Sequence, residues 1–572
     1  MSGTGKVTSA IWVALALLGA GTALWLMHAR ARALGGGAEV LGYDAAQYAV
    51  AARELAEHGR LATPFALPVE LSRATQPPWP LALVQPGLVL AEAALFRVSG
   101  TPPAGRAGAL VLVFPFLCYL GTALALAFSA WSLISRGAPD VPDEEAALAA
   151  LAVGLAFLLD PEAQHYASGG FTEMPFTFGL SLVLAALARG PRMPALGFGL
   201  LLGATGLFRG NMLWMAPAFA AAYAWASPRR ARPFFMSLAG YALVLAPWWF
   251  YKWRAFGDPG WDLSRLSVWD GIGGRTWFSL NHLPQLPELP HGMAAVLALK
   301  AKLLVNLRAL SLEIATGPRT LWLAGLAVVI FGGAGTGLAR GPVSEVPPSL
   351  GRGPRAAALA AALALILSVL TAAISVPLFR YVLPARLIAE GVGLVAVGAF
   401  LWNMPAEWAT PRSKRVCCGA LALLALTWGA WQSGRGLQDA ARVTADRGIP
   451  PRKTFEELSR QLDDELRPGE PVMSNLGPTL AWYTRRPVLH LSLTPGDMEA
   501  CRERLQFDEV VLAFRQSSRA WPGWDELMSS PAEAPQHKDW NVRRVRAWSV
   551  RDGFQIVWLE LGPPLTPLAL TR

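Results

Sequence analysis

The sequence has few charged residues and very few cysteines for its length. Only 16% of its 572 residues are Asp, Glu, Lys or Arg, whereas soluble proteins carry about 25%. This scarcity argues against a soluble enzyme. The four cysteines show no CxxC or Cys/His spacing, so we expect neither a disulfide framework nor a zinc site. With 53% hydrophobic residues, a disordered chain is excluded as well.

The sequence consists largely of long apolar runs. Blocks of about 15 to 25 apolar residues alternate with short pieces rich in Arg, Pro and Gly, which is typical of transmembrane helices. The mean hydropathy of +0.35 agrees. The net charge of +10 comes largely from arginines in the loops between these blocks. Such arginines indicate membrane topology rather than a nucleic-acid partner.

The apolar blocks predict an all-α polytopic membrane domain over residues 1–433, with about eleven transmembrane helices. The predicted spans are 9–28, 107–133, 147–160, 175–188, 195–208, 211–227, 233–251, 321–340, 357–376, 384–403 and 416–433. With the N-terminus in the cytoplasm, the arginine-rich short loops face the cytoplasm, as the positive-inside rule requires. We therefore expect a multi-pass protein of a bacterial cytoplasmic (inner) membrane. Residues 29–106, 252–320 and everything after 434 then lie on the external face.

One apolar segment does not fit as a span. Trp79 to Phe96 is apolar enough to cross the membrane, but a span there would reverse the orientation of every later loop. We interpret it as a re-entrant or interface-lying helix, interrupted by Pro86 and carrying Glu92. The first external loop is thus expected to hold membrane-parallel helices.

After residue 434 the composition becomes that of a soluble protein. Residues 455–466 are predicted as helix, and residues 472–474, 487–491, 509–514 and 555–561 are predicted as strands. We predict a small C-terminal α/β domain over residues 434–572.

The first candidate for chemistry is Asp44 in the external loop. It lies in the run GYDAAQY, which leads into a short predicted helix from Ala49 to Gly59, so Asp44 is at or near the N-terminus of that helix. An acid on the external face is available to a substrate. Asp44 could equally be the N-cap of that helix, and the two roles are compatible.

A second group of polar residues follows the third predicted span. Asp160, Glu162, His165 and Glu173 fall in one short external loop. Two acids at one site could divide base and electrostatic roles, or hold a divalent cation through oxygen ligands. The alternative for Asp160 is that it only caps a helix end.

Basic residues supply the third group. Arg380 and Arg386 lie in an external turn with Tyr381 between two spans, and the planar fork of arginine suits a lipid phosphate or pyrophosphate. Arg209 is a weaker candidate of the same kind. The alternative is that these side chains only reach for the membrane interface.

Taken in order, these residues resemble the C-superfamily of membrane glycosyltransferases, in particular the branch of protein O-mannosyltransferases and the lipid A aminoarabinose transferase. The segments that carry the resemblance are Asp44, Tyr48 and Arg53-Glu54 in the first loop, Gln76 to Pro80, Pro247-Trp248, Phe256 to Pro259, and Arg380-Tyr381 with Pro384. Two positions depart from the family pattern: Ala45 replaces a second acid, and Gln76 replaces a lysine that meets donor phosphate in some relatives.

The resemblance implies an integral membrane glycosyltransferase that moves a sugar from a polyprenyl-phosphate donor to a lipid, glycan or protein acceptor on the external face. Asp44 would be the general base and Asp160 a further catalytic residue, while Arg380, Tyr381 and Arg209 would bind the donor phosphate. The predicted acceptor-side or accessory residues are Tyr48, Arg53, Glu54, Gln76, Glu162, His165 and Glu173. A divalent cation, the sugar and the acceptor stay open.

Other interpretations remain at this point. A ligase-type transferase would move a preassembled glycan from polyprenyl pyrophosphate and would need both Arg380 and Arg386. A multi-pass lipid or sugar transporter should place polar groups in the middle of broken spans, whereas the candidate acids lie at span ends. A non-catalytic scaffold is the remaining alternative, because two family positions have changed.

Overall fold

The computed structural model describes residues 41–101, 107–137, 141–285, 291–316, 352–402, 410–445, 452–515, 522–537, 540–550 and 553–563, together with single residues elsewhere. The predicted span at 321–340 and most of that at 9–28 lie outside the described residues. We use "first loop" for residues 41–101 and "C-terminal region" for residues 452–563.

Helices occupy all nine predicted spans that fall within the described residues. They are α3 (Ala107–Gly137), α4 (Asp143–Leu158), α6 (Glu173–Ala188), α7 (Ala195–Gly206), α8 (Met212–Ala226), α9 (Ala231–Phe256), α12 (Arg352–Ile374), α13 (Leu383–Trp402) and α14 (Pro411–Ala445). In this part of the chain, three helices are long and apolar enough to cross a membrane: Ala109–Ser135, Ala231–Phe256 and Arg352–Ile374. A fourth is possible if α4 and the short α5 (Pro161–Ala167), bent by 62°, form one span. The total of eleven spans stays a prediction.

Small residues bring the bundle helices close together. A Cβ added at Gly199 of α7 would lie 2.0 Å from the carbonyl oxygen of Ser237 in α9, and one at Gly240 would lie 2.4 Å from the carbonyl oxygen of Leu196. The two backbones therefore touch at both glycines. Such contacts are typical of helix pairs in membranes, where close van der Waals packing replaces the hydrophobic effect.

The first loop contains two helices and three short strands: α1 (Tyr43–His58), β1 (Ala62–Thr63), β2 (Phe65–Ala66), β3 (Trp79–Pro80) and α2 (Pro86–Ser99). Helix α2 begins at Pro86, so the proline starts this helix and does not interrupt it, contrary to the prediction. Proline is well tolerated in the first turn, where its missing N–H would have no helical partner. Helix α1 is longer than predicted and ends at Gly59, which adopts φ of 70°, a conformation that glycine accepts readily.

The second predicted external segment also contains helices. They are α10 (Trp277–Asn281) and the 25-residue α11 (Gly292–Thr316). Helix α11 packs beside α12, and the Asn306 side chain donates a hydrogen bond to the carbonyl of Ala373 at 2.8 Å.

The C-terminal region contributes five strands to a six-stranded sheet. Its elements are α15 (Arg452–Glu465), β4 (Val472–Ser474), α16 (Gly477–Thr484), β5 (Val488–His490), α17 (Pro495–Arg502), β6 (Glu509–Arg515), α18 (Asp525–Ser529), β7 (Val542–Ser549) and β8 (Phe554–Leu561). The order is β2-β5-β4-β6-β8-β7. The first four strands are parallel, and β8 and β7 are antiparallel additions.

The edge strand β2 belongs to the first loop and not to the C-terminal region. Phe65 is opposite Val488 and Ala66 is opposite Leu489. The four predicted strands correspond to β4, β5, β6 and β8, whereas β2 and β7 were not predicted. The sheet thus joins the two ends of the chain, and a separate domain at 434–572 stays a prediction.

Candidate active site

The candidate site lies where the first turn of α1 meets the turn between α12 and α13. The N-cap of α1 is Gly42, so Asp44 does not cap the helix. Its carboxylate accepts a hydrogen bond from Nη2 of Arg380 at 2.9 Å. Both side chains are about 30% exposed, and a substrate can therefore reach them.

Arg380 also contacts a second carboxylate. Its Nε lies 3.2 Å from Oε1 of Glu173, and Nη1 of Arg209 lies 3.1 Å from the same oxygen. Asp44, Arg380, Glu173 and Arg209 form a line of alternating charge, which we call the charged row. Its Asp44 end is open, whereas Glu173 is fully buried and the Arg209 side chain is 9% exposed.

The charged row is balanced internally, with two positive and two negative groups. Within the described residues, neither contact of Glu173 with an arginine meets the geometry of a hydrogen bond, so these two contacts are ion pairs alone. Nη1 of Arg209 and Nε of Arg380 are consequently buried N–H groups that make no hydrogen bond within the described residues.

Aromatic rings set the positions of the two arginines. The Arg380 guanidinium lies 5.7 Å from the ring centroid of Phe171 and 5.6 Å from that of Tyr381. The Arg209 guanidinium lies 5.1 Å from the Tyr381 ring. These are cation–π distances. Although burial acts to lower it, the carboxylates of Glu173 and Asp44 raise the pKa of Arg380 above its ordinary value.

Tyr48 links α1 to the beginning of α6. It lies one turn after Asp44 and its hydroxyl is hydrogen bonded to the side chain of Thr172, which directly precedes Glu173. Burial first, and then the carboxylate of Asp44, raise the pKa of Tyr48. The phenol therefore stays neutral. Thr172 and Phe171 are contact residues that the sequence interpretation did not assign to the site.

The replacement of the family's second acid by Ala45 has a steric explanation. A Cβ added at Gly170, whose φ is +71°, would lie 2.8 Å from Cβ of Ala45, and Ala45 is 2% exposed. The loop before α6 and helix α1 are thus in direct contact at this point. A glutamate at position 45 would not fit this packing.

Asp160, the second predicted catalytic residue, caps a helix. It is the N-cap of α5, and its Oδ1 accepts hydrogen bonds from the backbone N–H groups of Glu162 and Ala163, each at 2.8 Å. Its side chain also lines a small cavity between α4, α13 and α14, together with Glu390. The observed geometry is that of the capping alternative, and a catalytic role stays a prediction.

Several other predicted site residues contact groups outside the charged row. Glu162 pairs with Arg386, which also lies 3.3 Å from Glu390. Glu54 pairs with His58 and Arg60, and Gln76 is exposed. These contacts place none of the three predicted accessory residues in the row.

His165 lies closer to the row, through an aromatic contact. Its ring packs 6.0 Å from that of Phe171, which also lies beneath Arg380. In the described part of the chain, no group of three or more His, Cys, Asp or Glu side chains is arranged to hold a metal ion.

A second polar cluster, not predicted from the sequence, supports the turn that carries Arg209. Gln85 accepts a hydrogen bond from Nε1 of Trp248 at 3.1 Å and donates one to Asp262 at 2.8 Å. Lys252 lies 3.5 Å from the same Asp262 oxygen. Two residues after Gln85, the N–H of Gly87 donates a hydrogen bond to the carbonyl of Leu207 at 2.8 Å. The beginning of α2 is thereby fixed against the 207–211 turn.

Solved structures of membrane transferases are similar to this chain. One is the Archaeoglobus fulgidus oligosaccharyltransferase in complex with Zn and sulfate, at 12% identity and a TM-score of 0.50, covering 86% of this chain and 67% of that one. Another is ArnT from Cupriavidus metallidurans bound to undecaprenyl phosphate, at 14% identity and a TM-score of 0.48, covering 97% of this chain and 98% of that one. A third is the arabinofuranosyltransferase AftD from Mycobacteria, at 13% identity and a TM-score of 0.42, covering 86% of this chain and 36% of that one.

Sequence comparison alone finds no relative. No protein-family model matches the chain, and no curated protein matches it. The likeness is one of fold, and it rests on the archaeal oligosaccharyltransferase, for which the TM-score is 0.50. The chain therefore has a fold similar to that of this oligosaccharyltransferase, which agrees with the resemblance to membrane glycosyltransferases that the motifs indicated.

Proposed function

We propose that the chain is an integral membrane glycosyltransferase that transfers a sugar from a polyprenyl-phosphate donor to an acceptor hydroxyl on the external face of the cytoplasmic membrane. The observation that carries the proposal is the charged row. It combines an accessible carboxylate with two arginines at one end of an apolar helix bundle. The similarity in fold and the order of the sequence motifs support the same reaction class.

The proposed reaction needs a base and a stabilised leaving group. Asp44 takes the proton of the acceptor hydroxyl while the hydroxyl oxygen forms a bond to the anomeric carbon. The bond between that carbon and the phosphate oxygen breaks, and the configuration at the carbon is inverted. Arg380 and Arg209 neutralise the negative charge that develops on the leaving phosphate, so no strong acid is required.

The ion pair between Asp44 and Arg380 implies an order of binding. In the structure the Asp44 carboxylate is engaged by the Arg380 guanidinium. The donor phosphate competes with Asp44 for Arg380, so donor binding releases the base. We therefore expect the donor to bind before the acceptor is deprotonated.

Substitution of Asp44 by asparagine tests the proposal. Asp44→Asn keeps the shape of the side chain but cannot accept a proton, and loss of a general base typically lowers the rate by roughly 10²- to 10⁴-fold. The assay measures transfer of labelled sugar from polyprenyl-phosphate sugar to the acceptors present in native membranes that contain the protein. Asp143→Asn is the matched control, because Asp143 is an exposed acid in the first turn of α4. Full activity of Asp44→Asn would refute the role of Asp44.

Two further measurements address the donor. Mass spectrometry of the purified protein should find bound polyprenyl-phosphate sugar, and an oligosaccharide on pyrophosphate would identify the ligase-type alternative. Arg386 pairs with Glu162 and Glu390, so Arg386→Ala should lower activity far less than Arg380→Ala. Equal and severe losses would favour the pyrophosphate donor.

A further inference from the structure

Helix α1, which carries Asp44, is fixed near its C-terminal end by the C-terminal region. Arg53 donates hydrogen bonds from Nη1 to the carbonyl of Trp482 at 2.8 Å and from Nη2 to the carbonyl of Ala481 at 2.9 Å. The same guanidinium lies 4.7 Å from the centroid of the Trp482 ring. Arg53 thus binds the end of α16 through two backbone bonds and a ring contact.

Arg53 is a buried cation, with 6% of its surface exposed. Burial first, and then the charge of Arg485, lower the pKa of Arg53 to about 10, so it stays protonated at neutral pH. A buried guanidinium is costly unless its N–H groups are satisfied. The two carbonyls and the indole ring provide that compensation, and they make the contact specific for arginine in this position.

The beginning of α1 is fixed by the same region. The hydroxyl of Thr479 donates to the carbonyl of Leu41 at 3.3 Å. The Tyr43 ring packs 5.3 Å from the ring of His490. A Cβ added at Gly477 would lie 2.9 Å from Cε2 of Tyr43. Asp44 therefore follows directly after a turn whose position the C-terminal region determines.

Arg53 is too distant to touch a substrate held by the charged row. Nine residues separate it from Asp44, and at 1.5 Å per residue this is about 13 Å along the helix axis. Its effect on the reaction must pass through the helix. A rigid helix held at both ends keeps the Asp44 carboxylate at one distance from the acceptor hydroxyl and from Arg380.

We propose that Arg53 is a positioning residue for the base, and that the C-terminal region is part of the catalytic apparatus because it sets the place of α1. This inference rests on the proposed transferase function. It assigns to Arg53 a contact with α16 instead of the acceptor-side role expected from the sequence.

The test compares Arg53→Ala and Arg53→Lys in the full chain. A misplacement of about 1 Å can lower a rate by as much as 100-fold, so we expect Arg53→Ala to lower kcat by about 10- to 100-fold. The KM for the donor should stay unchanged, because Arg380, Arg209 and Glu173 are intact. Arg53→Lys can make one of the two backbone bonds, and its kcat should lie in between. Arg452→Ala is the matched control, since Arg452 pairs with Glu456 on the surface of the same region.

A second variant acts at the other end of α1 without removing a charge. Gly477→Ala forces the Tyr43 ring to move, and it also strains a backbone position with φ of +50°. It should lower kcat in the same way as Arg53→Ala, again with the donor KM unchanged. This variant keeps the inference testable if Arg53→Ala fails to fold.

The outcomes separate the inference from the function it rests on. If Asp44→Asn is inactive while Arg53→Ala and Gly477→Ala keep full kcat, the positioning role is wrong and the proposed function stands. If Arg53→Ala instead raises the KM for the acceptor and leaves kcat unchanged, Arg53 contributes to acceptor binding and the inference is overturned. If Asp44→Asn keeps full activity, the proposed function itself fails.

Discussion

The sharpest prediction concerns Glu173, the buried carboxylate shared by two arginines. Its Oε1 lies 3.1 Å from Arg209 and 3.2 Å from Arg380. Glu173→Gln removes the charge but keeps the shape. Arg209 then loses its counterion, while Arg380 keeps Asp44. Removing one partner of a buried ion pair costs about 3–5 kcal/mol, and we expect a loss of stability of this size in the absence of donor.

The same variant should respond more strongly to a phosphate ligand. With Glu173 neutral, the two guanidinium groups repel each other, and a phosphate that binds both replaces the missing anion. A ligand stabilises the folded state more when it binds more tightly. Polyprenyl phosphate should therefore raise the unfolding temperature of Glu173→Gln by more than it raises that of the wild type.

Thermal unfolding of the detergent-solubilised protein, with and without polyprenyl phosphate, measures both effects. Glu162→Gln is the matched control, because Glu162 is a carboxylate of the preceding helix α5 that also pairs with an arginine but is 45% exposed. An ion pair of that kind contributes about 0–1 kcal/mol. If Glu173→Gln unfolds at the same temperature as Glu162→Gln, the buried ion pairs do not stabilise the bundle. If polyprenyl phosphate raises the unfolding temperature of Glu173→Gln by less than it raises that of the wild type, Arg209 and Arg380 do not bind the phosphate.

Two further predictions separate local structure from chemistry. Asp160→Asn should keep the cap of α5, because asparagine caps a helix as well as aspartate does. If the variant unfolds at the same temperature but loses activity, Asp160 is a catalytic residue. If it also keeps its activity, Asp160 serves only as the helix cap. His282 and His490 pack 4.9 Å apart between α10 and β5, and burial lowers the pKa of His282 to about 4. In the unfolded chain the His282 imidazole takes up a proton near pH 6.5, whereas in the folded protein it does so only near pH 4. The free energy of unfolding therefore falls as the pH drops from about 6.5 to about 4, and His282 contributes up to about 3 kcal/mol to this fall. The unfolding temperature of His282→Phe should depend less on pH across this window, and parallel curves for variant and wild type would contradict the argument.

The positions of the bundle helices could be predicted because apolar character is a property of each segment by itself. A helix occupies every predicted span from 107–133 to 416–433 that the structure describes. The start of α2 was harder, since a proline inside an apolar run can interrupt a helix or begin one. Contacts with distant segments of the same chain decide between these outcomes. Here the contact is the hydrogen bond from the N–H of Gly87 to the carbonyl of Leu207.

The four members of the charged row could be named from the sequence, but their contacts could not. Asp44 and Arg380 were both proposed from motifs, yet their ion pair joins residues 336 positions apart. Arg53 donates to the backbone carbonyls of Trp482 and Ala481. Every residue has a backbone carbonyl, so the sequence does not show which residues accept these hydrogen bonds. The two-residue strand β2 is too short to show a periodic pattern and is defined by its pairing with β5.

The contacts between the first loop and the C-terminal region also determine when the site can assemble during synthesis. Arg53 and its partner Trp482 are 429 residues apart, and at 5–20 residues per second the ribosome needs about 20–90 s to produce the second after the first. The bundle helices, including the turn with Arg380, are synthesised within this interval, before α1 can acquire its partners. Assembly of the site is therefore expected to be one of the last steps of biosynthesis. A nascent chain that ends before α16 would hold Arg380 and Arg209 of the charged row before the C-terminal region has fixed α1 and Asp44.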